Sequence, residues 1–313
     1  MNQKESVTRR RNAIMEQAQE RGYEAVVFFN EVIRQNPSNT IYVMSSALGD
    51  EHQTFIMDAN GDTTLVMPHW GVPRVKASGE YNEVIAIKQE KGHHIKGTLE
   101  ALSKYKGDKL GFDLSTVSAQ MWYRIASELG LSPRPEQDIS DIVFKQRSIK
   151  DEYEIEEICR AIEITETAFH ILIEGTKPGN NVHYMKKELD ANMIELGACE
   201  FSFDSSIGFI KGNNTDYLKH GDALSLDVGV RLETGYCSDM GRNWHVTWEK
   251  ATEDYMERAM QAQVDGINGI KPGMTGNQVL DHANKLNNEL GFKETVRTGH
   301  QIGLDVHDYT MPY

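Results

Sequence analysis

The chain has 313 residues, room for about two domains of ~150 residues each, and its 39% apolar and 26% charged content is that of an ordinary globular protein, not a disordered or fibrous one. Its 33 Lys and Arg against 47 Asp and Glu leave a formal charge of −14, which repels phosphate backbones and anionic lipid and argues against nucleic-acid and membrane partners. Three scattered cysteines, Cys159, Cys199 and Cys237, supply neither a disulfide framework nor a zinc cluster. Residues 1–9 lack the apolar core of a signal peptide, and no run of about 18 apolar residues occurs, so a cytoplasmic protein is expected.

Residues 6–21 read as a polar first helix, with Arg9, Arg10 and Arg11 on its solvated face. Buried strands are expected at 23–29 and 40–44. Strands at 54–57 and 63–67 flank Asn60-Gly61, a strong hairpin signal. Short strands follow at 83–87 and 109–113, and His93-His94 opens a helical stretch as solvated residues. The next helix is expected to start at Ser115 as N-cap and to stop at Gly130. This first half is an α/β domain with a mixed sheet, and residues 132–146 read as its connection to the second half.

From residue 151 the pattern becomes a long amphipathic helix, with Ile155, Ile158, Ile162, Ala168 and Ile171 at helical spacing as its core face. The second half also echoes itself. Lys177-Pro178-Gly179 recurs 94 residues later as Lys271-Pro272-Gly273, and Glu195-Leu196-Gly197 as Glu289-Leu290-Gly291. Ala168, Ile173 and Gly175 keep the same offset to Ala262, Ile267 and Gly269, which points to a duplicated pair of helices followed by strands.

Between the copies, residues 221–242 read as a β-hairpin. Leu224, Leu226 and Val228 alternate with Ser225, Asp227 and Gly229, so Asp227 lies opposite the apolar face. A loop of Leu232, Glu233 and Thr234, with Gly235 at the bulge, would set Asp227 directly across from Asp239. Facing carboxylates repel unless a proton or cation is shared, and hard divalent cations take carboxylate oxygens. The second copy ends in a Gly-rich stretch holding His300 and His307, with an imidazole available to complete an acidic pair. No nucleophile elbow, P-loop or dinucleotide fingerprint occurs in a strand-to-helix context.

These landmarks, in order, are Arg147-Ser-Ile-Lys150 before Glu154-Ile-Glu-Glu-Ile158, then Lys177-Pro-Gly179, Phe201-Ser-Phe203, Gly221-Asp222 with Asp227-Val-Gly229, Gly235 to Asp239, and Gly299-His300 with Gly303 to His307. So ordered, the second half resembles the pita-bread metallopeptidases, the family of methionine aminopeptidase, aminopeptidase P, prolidase and creatinase. The first half resembles the creatinase-type N-terminal domain. The resemblance implies an α+β chain: a creatinase-like domain at 1–146, then a pseudo-twofold pita-bread catalytic domain at 147–313 with its C-terminal strands missing. It implies that Asp227, Asp239 and His300 are ligands of two divalent ions (Mn, Co, Zn or Fe), Asp239 bridging them, and that His307 touches the substrate. The implied activity is that of an Xaa-Pro aminopeptidase or dipeptidase, with a metal-bridging hydroxide attacking a peptide C–N bond, in a homodimer.

Three departures accompany the resemblance. The family's two further glutamate ligands would lie beyond Tyr313, so a C-terminally truncated fragment is expected. The family's upstream catalytic histidine has no counterpart, His220 adjoining Gly221 too closely, and Asn213, Asn214 or Asp216 would take its space. The hairpin is one residue longer than usual, and Asp308 replaces a glutamate. Alternative readings are a creatinase-like hydrolase of a small amide or amidine, and a non-catalytic interaction scaffold.

Overall fold

The computed structural model describes residues 1–30, 38–44, 52–88, 93–132, 136–210, 215–246, 250–289, 291 and 299–308. It divides into two compact units. The first comprises residues 1–161, 231–238 and 302–313, and the second 162–230 and 239–301.

The first unit is a three-layer α/β arrangement. Strands β1 (Ala25–Asn30), β2 (Gln53–Asp58), β3 (Thr63–Pro68), β4 (Glu83–Ile87) and β5 (Leu110–Phe112) form one sheet in the order β4-β3-β2-β1-β5. β2 runs antiparallel to β1 and β3, whereas β4 and β5 are parallel to β3 and β1. The period-2 alternation divides β1 between two cores. Val26 and Phe28 join one cluster with Ile14, Met15 and Ala18 of helix α1 (Gln3–Glu20). Ala25, Val27 and Phe29 join the other with Trp122, Ile125 and Ala126.

α1 starts with a reciprocal cap, the Asn2 side chain accepting from the Glu5 amide while the Glu5 carboxylate accepts from the Asn2 amide. Of its three arginines, Arg9 stays solvent-exposed as expected, whereas Arg10 and Arg11 do not. Arg10 is 2% exposed, donating to the Tyr236 hydroxyl at 3.0 Å and lying 4.5 Å over the Tyr42 ring. Arg11 donates to the Val43 carbonyl at 2.7 Å and pairs with Glu80, and Arg9 reaches Asp151 at 2.8 Å. Long aliphatic stems and planar guanidinium groups let Arg10 and Arg11 enter the core where carboxylates and aromatic faces receive them.

Residues 38–43 form helix α2 (Ser38–Val43) in place of the expected strand at 40–44. Thr40 Oγ1 donates to the Phe29 carbonyl at 2.9 Å, and Ile41, Tyr42 and Val43 all enter the α1-side core. Burial on that core overrides the β preference of a Thr-Ile-Tyr-Val run. The hairpin at Asn60-Gly61 forms as expected, closed by the Asp58 amide on the Asp62 carbonyl at 3.0 Å. Helix α3 (Val72–Ser78) follows β3. His94, in helix α4 (His93–Leu102), is not solvated: its Nε2 is 2.9 Å from the Thr54 hydroxyl, and burial first, then His52, lowers its pKa to about 4.

Helix α5 (Ala119–Leu129) is capped by Ser118, whose hydroxyl accepts from the Met121 amide at 3.2 Å, and it stops at Gly130 as expected. Ser115 instead donates to Asp113 at 2.8 Å. The connection holds helix α6 (Ser140–Arg147), anchored by Ile142 and Val143.

Helix α7 (Glu152–Gly175) presents a different face from the expected one. Ile155, Ile162 and Ile171 are exposed, whereas Tyr153, Glu154, Glu157, Ala161, Thr165, Ala168, Phe169 and Leu172 are buried. Isoleucine spacing misled here because Glu154 and Glu157 have partners inside: Tyr236 donates to Glu154 at 3.2 Å, and Thr234 to Glu157. Only Ala168 lies on the buried side as expected, with Ile158 packed at the edge of the core.

In the second unit, helix α8 (Val182–Glu195) is capped by Asn181. Strands β6 (Glu200–Phe201), β7 (Ser206–Phe209), β8 (Ala223–Val228) and β10 (Met240–His245) follow, with β9 (Val230–Arg231) at the point where the chain passes to the first unit, then helices α9 (Lys250–Asn268) and α10 (Gly276–Glu289). β10, β8 and β7 form an antiparallel sheet with β8 central. The 94-residue echo is structural: the bounds of α10 are those of α8 displaced by that offset. The turn bond from the Asn180 amide to the Lys177 carbonyl, 3.1 Å, returns from Met274 to Lys271 at 3.2 Å.

Candidate metal centre

The hairpin that presents the two aspartates is closed one residue later than expected. The Leu232 amide donates to the Tyr236 carbonyl at 2.9 Å and the Gly235 amide to the Leu232 carbonyl at 2.8 Å, so the loop is Glu233, Thr234 and Gly235. Gly235 takes the left-handed position itself, with φ 91°. Moving the loop by one residue moves every cross-strand pair by two. Asp227 therefore faces Gly241, not Asp239, and Asp239 immediately precedes the ladder. An even displacement preserves the face, so the aspartates become diagonal neighbours, a separation of about 7 Å on a common side.

That side is polar and open. Ser206, Gly208, Ser225, Asp227, Gly241 and Asn243 are exposed on it, while Leu224, Leu226, Val228 and Met240 are buried on the other. Asp227 lies on the central strand between Ser206 and Gly241, where the small neighbours leave its carboxylate approachable.

His300 meets Asp239, with Nε2 2.9 Å from Oδ2, and its Nδ1 lies 3.0 Å from the Gln301 carbonyl. A carbonyl oxygen only accepts, so Nδ1 carries the proton of that bond. In the neutral imidazole, Nε2 then turns a lone pair toward a carboxylate oxygen. Two acceptors at that distance need a proton or a cation between them, and an Nδ1–H held by a backbone carbonyl is the usual arrangement that orients a metal-ligating histidine. Carboxylate and imidazole donors of this kind suit Mn, Co, Zn and Fe alike, so the residues fit a divalent metal ion.

His307 belongs to the first unit and is exposed. The segment around it is tied down by residues that the motifs did not single out for a role. The Cys237 amide donates to the Gly303 carbonyl at 2.8 Å, and Leu304 is buried in the core. Arg147 donates to Asp305 at 2.7 Å and to Asp308, and Lys150 to the other Asp308 oxygen at 2.7 Å. The signal that could have found these partners is the Arg147-Ser-Ile-Lys150 spacing, which puts two cations on one turn. Of the residues expected to replace the missing histidine, Asn213 and Asn214 lie outside the described residues, and Asp216 is exposed, 3.5 Å from His183.

Residues 156–313 match the model of metallopeptidase family M24, a family that uses divalent metal ions. An uncharacterized peptidase of Staphylococcus saprophyticus is 28% identical over 284 residues, 86% of this chain and 78% of the relative. A second uncharacterized peptidase, from Bacillus subtilis, is 28% identical over 239 residues, 71% of this chain and 65% of its own length. The fold is similar to an Xaa-Pro dipeptidase from Bacillus anthracis, at TM-score 0.77 and 22% identity over 97% of this chain and 84% of that one. A prolidase from Pyrococcus horikoshii is similar at TM-score 0.75 and 22% identity, over 96% and 84%. With the match spanning half of its length, the chain belongs to metallopeptidase family M24 and is a peptidase of the pita-bread fold.

Proposed function

We propose that the chain is a metal-dependent hydrolase of the Xaa-Pro aminopeptidase and dipeptidase type, cleaving the peptide C–N bond of small peptides. The observation that carries this reading is the 2.9 Å approach of His300 to Asp239, beside the open face that bears Asp227. In it, Asp227, Asp239 and His300 would hold two divalent ions (Mn, Co, Zn or Fe), Asp239 serving both, and His307 would contact the substrate. The bound ions would lower the pKa of water and polarise the scissile carbonyl, which a hydrolase needs at neutral pH.

The chain's own groups do the rest. Gly208 and Gly241, without side chains, let a peptide backbone approach the sheet closely. The Gln301 carbonyl, by holding the Nδ1 proton of His300, keeps Nε2 available as a ligand. The preference for a proline-containing bond is carried over from the similar dipeptidase and prolidase structures. A cytoplasmic homodimer, with a creatinase-like domain at 1–146 and a catalytic domain at 147–313, completes the proposal.

Metal analysis together with turnover of Xaa-Pro dipeptides in Mn²⁺ or Co²⁺ tests it. Asp239→Ala is expected to lose both bound metal and metal-dependent turnover. Wild-type turnover in that variant removes the proposed mechanism, and faster hydrolysis of a non-peptide amide than of Xaa-Pro dipeptides moves the substrate class.

A further inference from the structure

His307 sits on a short segment that has little regular structure of its own yet is held at almost every residue around it. Gly303 accepts from the Cys237 amide, Leu304 is in the core, and Asp305 and Asp308 flank His307 on either side. Both aspartates converge on one group, the guanidinium of Arg147, whose side chain is 3% exposed at the end of α6. Nη2 serves Asp305 at 2.7 Å and Asp308, and Nη1 donates to the Asn39 side-chain oxygen at 2.7 Å.

Asn39 is itself fixed. Its amide nitrogen donates to Asp113 and to Ser115, both at 3.0 Å, which leaves only the oxygen to face Arg147. Lys150 closes the arrangement, donating to Asp308 and to the Arg147 carbonyl at 2.7 and 2.8 Å. The segment is thus registered against the body of the first unit through a buried fork of planar, charge-assisted bonds.

We propose that Arg147 is a positioning residue for His307: by gripping Asp305 and Asp308 together it sets where the imidazole between them points. This rests on the reading above that His307 contacts the substrate. A lysine keeps the charge but cannot reach Asn39 and two carboxylates from one rigid plane, so Arg147→Lys loosens the segment without stranding the aspartates. A displaced imidazole of the order of 1 Å costs about 100-fold in rate.

The test is a double-mutant cycle on the full chain, with an Xaa-Pro dipeptide and Mn²⁺. Arg147→Lys is expected to lower kcat about 10- to 100-fold with KM and metal content near wild type, and to add nothing in a His307→Ala background. Independently of turnover, deuterium uptake in a peptide covering 302–308 is expected to rise in Arg147→Lys. Additive losses in the double variant, or unchanged uptake, overturn the positioning role and leave the His307 reading standing. Wild-type kcat in His307→Ala overturns that reading, and this inference with it. Should Arg147→Lys fail to fold, Asp305→Asn, at a carboxylate 45% exposed, makes the same comparison. A smaller loss that vanishes in the His307→Ala background is expected there, and an additive one again overturns the proposal.

Discussion

Charge and imidazole groups enclosed by the first unit carry consequences that burial of apolar groups does not. His94 faces the Thr54 hydroxyl, beside His52 at 5.7 Å between ring centroids, and its pKa is lowered to about 4, by burial first and by His52 second. Below the ordinary histidine pKa the unfolded chain takes up a proton that the folded chain refuses. Stability is therefore complete above about pH 6.5 and falls as pH drops toward about 4, by about 3 kcal/mol across that window. Urea unfolding at pH 7 and pH 5 is expected to show about 2 kcal/mol of this loss, and His94→Gln is expected to flatten it. Asp151 behaves in the opposite sense. Burial alone would raise it, but Ser6, Arg9, the Glu154 amide and Arg10 hold it down to about 2, so its contribution persists until pH falls from about 4 through about 2.

At the scale of elements, the hairpin and helix α7 show how far pattern reaches. Alternation placed Asp227 on the face opposite Leu224, Leu226 and Val228, and there it lies. The facing partner was misplaced because a three-residue loop ending in a left-handed glycine includes that glycine, and the same rule governs Ala59 to Gly61 between β2 and β3, where Gly61 has φ 85°. In α7 the isoleucine period suggested one buried side and the structure buries another. Glu154 is paired with Arg10 at 3.7 Å and accepts from Tyr236, and burial, against the pull of Arg10, raises its pKa. Glu154→Ala is expected to cost about 3 kcal/mol because it removes one partner of an enclosed pair. Ile155→Ala, at a side chain 53% exposed, is expected to change stability by about 0.5 kcal/mol or less. Thermal or denaturant unfolding of the two variants compares them directly, and a larger loss for Ile155→Ala would reverse the assignment of the buried face.

Across the whole molecule, the first unit is assembled from distant stretches of chain. Its α1-side core includes Tyr153, Tyr236 and Leu304 beside Ile14, Val26 and Phe55. Arg10, in the first helix, is paired with Asp151 and Glu154 and donates to Tyr236. A fragment of residues 1–146 keeps the five-stranded sheet but leaves that arginine without these partners. It is expected to lose the cooperative thermal transition of the full chain, as followed by circular dichroism. A sharp transition at the temperature of the full chain would show that the later residues contribute little to this core. Among the described residues, no helix is long and apolar enough to cross a membrane.

The family, the mixed sheet of the first half, the hairpin of the second and the duplicated helix pair were all legible in the sequence. Each rests on short-range regularities, namely strand alternation, glycine-bearing turns and motifs repeated at one offset. The landmarks that led to M24 are local in the same sense. Tertiary structure alone decided the rest: that 38–43 is a helix, that Arg10 and Arg11 turn inward while Arg9 stays exposed, which side of α7 is buried, and that Arg147 holds the segment bearing His307. These share one physical cause. A charged or β-branched side chain is placed by the free energy of its partners and its burial, and those partners stand far away in the chain: Tyr236 for Arg10, Asp305 and Asp308 for Arg147.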